Sequence, residues 1–124
     1  MALERNLDVV SYPASADLSA SLFHIVTIDS NGRVAVSAGS TSKIFGVLQS
    51  KPKVLGEGAA VAIGGVTKCV AGGAIAEGDF VTSNAQGFGL ATTTAGNVAA
   101  GRAATEAAGS GEIFELQIMP QMVS

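Results

Sequence analysis

The stretch Ile25-Val26-Thr27-Ile28-Asp29-Ser30-Asn31-Gly32-Arg33-Val34-Ala35-Val36 decides the fold. Two runs rich in β-branched residues flank four residues that favour reversal, and Asn31 and Gly32 both tolerate positive φ. This is hairpin chemistry. The same pattern returns where residues 80–82 and 89–92 surround Asn84-Ala85-Gln86-Gly87. Working outward, residues 45–49 read as a third strand. Residues 61–63 and 66–70 flank Gly64-Gly65, which reads as the tightest hairpin in the chain. Residues 113–118 alternate, with Phe114, Leu116 and Ile118 on one face and Ile113, Glu115 and Gln117 on the other. Pro120 is expected to end that strand. A helix is credible only for short Ala-rich pieces such as 103–108, which Gly101, Gly109 and Gly111 bracket.

The chain repeats itself. Residues 23–63, shifted by 55 positions, lie on residues 78–118 without a gap, and 7 of the 41 pairs are identical. Their placement matters more than their number. Val26-Thr27 falls on Val81-Thr82, Gly32 on Gly87, Gly46 on Gly101, Gly56-Glu57 on Gly111-Glu112 and Ile63 on Ile118. Each copy reads as strand, turn, strand, loop, Gly-containing strand, loop, strand, with residues 66–76 joining the two. Two such units in one small all-β domain imply a compact barrel or sandwich, because closing a sheet hides its edges.

Residues 1–22 differ from the rest. They contain no glycine and no hairpin signal, and 14–22 form a Ser/Ala-rich connector. Leu3, Leu7, Val9 and Tyr12 are apolar positions without a local partner in the sequence pattern. The segment reads either as an extended N-terminal arm that packs on something else or as a frayed terminus. The arm reading divides the chain into an arm, 1–22, and a β-barrel domain, 23–124. It also expects that removing the arm leaves the barrel folded.

Composition sets the remaining bounds. The 124 residues fit one domain, 48% of them are hydrophobic, and only 5% are aromatic. Ala and Gly dominate, so the core is thin, and a thin core draws stability from association. The net charge is −3 and the seven basic residues are scattered, which leaves no stripe for nucleic-acid phosphates. No apolar run reaches the length of a membrane span. The lone Cys69 excludes an internal disulfide and fits a reducing compartment. Charges at Glu4, Arg5 and Asp8 stand where a signal peptide would carry its apolar stretch, so the chain is expected to be cytosolic when made.

No catalytic constellation is visible. The single histidine, His24, stands at the start of a strand with no nucleophile pattern around it. Lys68 could lower the Cys69 pKa, but a buried structural thiol is the better reading. One His, one Cys and dispersed acids make no typical metal site, and Glu112 and Glu115 should face opposite sides of a strand. The glycines serve turns and match no phosphate-binding loop. The expectation is therefore no enzyme, no cofactor and no metal. Lys51-Pro52-Lys53 is a small basic bump, read as a solvated loop with an acidic partner surface as the functional alternative.

The run 26–34 followed by Ile44-Phe45-Gly46-Val47-Leu48 resembles the first half of the tailed-bacteriophage capsid cement, or head-decoration, proteins. The second half is more similar still. Ala76-Glu77-Gly78-Asp79-Phe80-Val81-Thr82 resembles the family's Ala-x-Gly-Asp-x-Val lead into a strand, and Gln86-Gly87, Gly101-Arg102-Ala103 and Glu106-Ala107-Ala108 follow in the family's order. The resemblance covers residues 23–120. It implies a small β-barrel or β-tulip-like domain without catalytic residues. It also implies a homotrimer, with a dimer as alternative, that docks on the outer surface of the expanded head and stiffens the shell against internal DNA pressure. The implied partner is the major capsid protein. On that reading Leu3, Leu7, Val9 and Tyr12 become candidate capsid or subunit contacts. The rival readings are a head-fibre base or a glycan-binding surface module of the virion, although only Tyr12 is offered for sugar stacking.

Overall fold

The computed structural model describes residues 5–123. These residues form no helix. They build nine strands: β1 (Arg5–Pro13), β2 (Ile25–Ile28), β3 (Val34–Val36), β4 (Ile44–Leu48), β5 (Gly58–Val70), β6 (Phe80–Ser83), β7 (Gly89–Ala91), β8 (Val98–Ala103) and β9 (Ile113–Met122). All ladders are antiparallel, and the strands form one curled sheet in the order β3-β2-β4-β5-β9-β8-β6-β7, with β1 also on β5. The fold class is all-β and barrel-like.

The order is a palindrome, and the ladders explain why. Val26 faces Val36 across β2 and β3, and Val81 faces Ala91 across β6 and β7. Val26 faces Gly46, and Val81 faces Gly101. Leu48 faces Val61, and Ala103 faces Leu116. Every one of these pairs recurs after 55 residues, in the same register. The turns match as well. The Asp29 carboxylate accepts from the Asn31 and Arg33 amides, both at 2.9 Å, while the Asn84 carbonyl accepts from Gln86 at 2.9 Å and Phe88 at 3.0 Å.

The amino-terminal segment has a partner inside the chain, which the sequence pattern did not show. β1 pairs with β5 from Pro13–Gly58 to Arg5–Val66. Val61 and Ala62 each have partners in both β1 and β4, so those strands flank β5 on opposite edges. β9 then follows β4 along the edge opposite β1, from Gly65–Ile118 to Val70–Ile113, because Val66 is partnered by both Arg5 of β1 and Gln117 of β9. Tyr12 faces Ala59 as Cys69 faces Phe114, so β1 does for the first unit what the end of β5 does for the second. The chain after each strand agrees. Gly56 N donates to Ala14 O at 2.8 Å, and Gly111 N to Ala71 O at 2.7 Å. Leu18 N donates to Pro52 O at 2.8 Å, and Ile75 N to Ala107 O at 2.9 Å. Ala14, Leu18, Ala71 and Ile75 are all buried. Each unit therefore has five strands, and β5 is the last strand of one and the first of the other. Ser15 N to Val34 O, 2.9 Å, and Gly72 N to Gly89 O, 2.8 Å, tie each unit's far hairpin back to its start.

That sharing explains why Gly64-Gly65 does not turn. A hairpin there would need residues 61–63 to pair with 66–68, but both stretches are already paired with β1, β4 and β9. Gly65, at φ 90°, instead lies where β9 takes over from β4 along one edge. Pro120 does not end β9, which runs to Met122. It lies where the β8–β9 register slips between Ala99 and Gly101, and a bulge asks no amide of it. Residues 103–108 are not helical, because Ala107 bridges to Ile75 as part of the unit's closure.

Gly46 and Gly101 occupy the same position in the two units for a steric reason. A Cβ on Gly46 would lie 2.1 Å from Ala62 O, and one on Gly101 would lie 1.8 Å from Gln117 O. The strands approach too closely there for any side chain.

The cores follow the duplication. One cluster holds Ala14, Leu18, Val26, Val34, Leu48, Ala59 and Val61. The other holds the matching Ala71, Ile75, Val81, Ala103, Phe114 and Leu116, and it extends through Ile25, Ile44, Val47, Ala62, Ala100 and Ile118 to join the units. Side-chain volume is exchanged within each unit. The first packs Val34, Leu48 and Ala59 where the second packs Gly89, Ala103 and Phe114. A Cβ on Gly89 would lie 3.0 Å from the Phe114 ring, so the large ring fills what the small residues leave.

Candidate contact surface

The residues with reactive side chains are held in structural roles. His24 is half-buried at the seam between the units. Its Nδ1 lies 2.9 Å from Gln86 O, its ring meets Phe88 edge-on at 4.8 Å, and Ile25 N donates to Gly87 O at 2.7 Å beside it. Burial lowers the His24 pKa and outweighs the carbonyl contact, which acts the other way. That contact requires the proton on Nδ1. Cys69 is fully buried, and burial pushes its thiol up to about 12. Desolvation, not the neighbouring Lys68, sets its chemistry. Among the described residues, no group of three His, Cys, Asp or Glu could hold a metal ion, and no pocket is formed.

Glu112 is exposed and Glu115 is buried. Glu115 lies on the alternate face from Phe114 and Leu116, opposite Lys68 in the ladder, and its amide donates to Thr105 Oγ1 at 2.9 Å. The outer face of β9 is thus covered at that point.

The amino-terminal candidates do not form one patch. Leu3 lies outside the described residues. Leu7 is half-buried against the second unit's core. Val9 is 50% exposed and Tyr12 is 43% exposed. Val9 faces Ala62 and Tyr12 faces Ala59, so strand alternation places them on opposite faces of β1. Tyr12 is braced, its ring meeting Phe45 edge-on at 5.5 Å.

The most exposed apolar pair in any loop is one that strand patterning passes over. Val54 is 65% exposed and Leu55 57%. They cap the loop between β4 and β5, next to exposed Lys51 and Lys53 and buried Pro52. The 55-residue alignment holds the signal, because Gly109 and Ser110 stand at the matching positions. On β9, Ile113, Met119 and Met122 are also exposed. A sheet that holds apolar side chains out to solvent offers a surface on which a partner can pack.

Residues 6–118 match the phage cement protein family. The chain belongs to that family. It is a structural virion protein, part of a bacteriophage capsid. No curated protein matches it. Among solved structures it is similar to the N base of head fiber gp8.5 of bacteriophage phi29, with a TM-score of 0.64 and 20% identity over 94% of this chain and 99% of that one. That likeness is one of fold. The family match spans nearly all of β1 through most of β9.

Proposed function

We propose that this cement protein binds the outer surface of the expanded phage head, contacts the major capsid protein, and stabilises the shell against internal DNA pressure as a homotrimer. The observation that carries the reading is a duplicated sheet that forms no pocket among the described residues yet holds Val9, Tyr12, Val54 and Leu55 out to solvent. Side chains fixed this way lose little freedom on docking. Val9 and Tyr12, on opposite faces of β1, are suited to touch two neighbours at once, and we assign them to capsid or subunit contacts together with Leu3 and Leu7. Symmetry multiplies modest contacts into avidity.

Co-sedimentation with expanded, undecorated heads tests the proposal. Saturable binding near one copy per capsid protein, with capsids then resisting heat or chelator better, is the expected result. No binding to heads of the parent phage would overturn it. A second reading, the base of a head fibre, is favoured by the likeness to the phi29 fiber base. It expects saturation at far fewer copies per head.

A further inference from the structure

We propose that the loop carrying Val54 and Leu55 is the anchor of this protein on the shell, seating in an apolar pocket with an acidic rim on the capsid protein. The inference rests on the cement reading above. Its basis is a comparison the molecule makes with itself. Both units build the same turn. Glu57 N donates to Val54 O as Glu112 N does to Gly109 O, and Gly56 and Gly111 share a φ of 88°. The fold is satisfied by Gly109-Ser110, so it does not require two branched apolar residues in water at Val54-Leu55.

The first loop is also the better fixed of the two. Both turns are clasped alike, Ala14 by Glu57 O and Gly56 N and Ala71 by Glu112 O and Gly111 N, but only in the first does a carboxylate, that of Glu57, also accept from the loop's own amides, those of Lys53 and Val54. An apolar knob on a braced turn is preorganised for insertion. Exposed Lys51 and Lys53 lead into it, where the second unit has Glu106 and Ala108, so the side of the rim that receives them carries carboxylates. A second copy is a poor receptacle, since the described residues form no pocket.

The test compares three proteins for binding to expanded, undecorated heads. These are wild type, the double variant Val54→Gly/Leu55→Ser, which installs the second unit's residues, and the double variant Lys51→Glu/Lys53→Glu. Thermal unfolding checks that each is folded. Wild type binds, the first variant weakens on the order of 100-fold, and the second also weakens and loses the salt sensitivity of wild-type binding. Failure of wild type to bind would remove the cement reading itself. Wild-type binding with an undiminished, folded Val54→Gly/Leu55→Ser variant would overturn the anchor alone. A change in that variant's sedimentation coefficient without heads would assign the knob to self-association instead, and would also overturn it.

Discussion

Phe23 stands in the first unit where Gly78 stands in the second, and both hold a left-handed backbone, φ 65° and 83°. The duplicated fold dictates this conformation, and a non-glycine residue adopts it only at a cost. Phe23 is kept there by its ring, which packs on the second unit's core and lies 5.6 Å beneath the Lys68 ammonium.

The strain is measurable. Phe23→Gly and Phe23→Ala lose the same ring contacts, but only glycine relieves the backbone. Phe23→Gly is expected to be the more stable of the two by about 1 kcal/mol. Gly78→Ala, with open space around it, should cost a similar about 1 kcal/mol. Gly46→Ala and Gly101→Ala meet backbone, and should cost on the order of 3 kcal/mol or fail to fold. Denaturant midpoints decide. The ordinary order, with alanine at 23 better than glycine, would remove the strain.

Deletion of residues 1–13 should destabilise the first unit. It strips β5 of its partner from Gly58 to Val66 and opens the core at Ala59 and Val61. Amide exchange is expected to accelerate from 58 to 64 while 66–70, held by β9, stays protected. In the intact chain Leu18→Ala should cost about 2–3 kcal/mol. An unchanged melting temperature after the deletion would mean that β1 adds nothing to the domain.

His24 should make stability fall in mild acid. Its folded pKa is below the ordinary 6.5, so its contribution is complete above that value and is lost as pH falls through the folded value. Protonation charges a half-buried ring held between the Gln86 carbonyl and the Phe88 ring. The slope stays well under the roughly 1.4 kcal/mol per pH unit of a fully buried group, because the ring is partly solvated. Urea midpoints at pH 7.5 and 5.5 should separate for wild type more than for His24→Gln. Equal separations would place the acid sensitivity elsewhere.

The strands of the two hairpins were legible because Gly32 and Gly87 sit where a reversal needs positive φ, and β-branched residues flank the first. The close approach at Gly46 and Gly101 was legible as a shared glycine, though not its cause. β1 was not legible. Its residues 5–13 share no identity of placement with 62–70 strong enough to see, since Tyr12 answers Cys69 and Pro13 answers Val70. Gly64-Gly65 misled because local turn chemistry cannot report that both flanking stretches are already paired. Val54 and Leu55 were overlooked as contacts because strand periodicity is silent about loops, and only the comparison with Gly109-Ser110 marks them as unexplained by folding.

β5 has a mechanical consequence. One strand of 13 residues runs through both units, so no separate linker joins them. A pull directed along it loads the β1, β4 and β9 ladders in shear, with many bonds resisting together, whereas a peeling load would break them singly. A small domain built this way behaves less like two beads on a string than like a rivet, which carries tension through its shank.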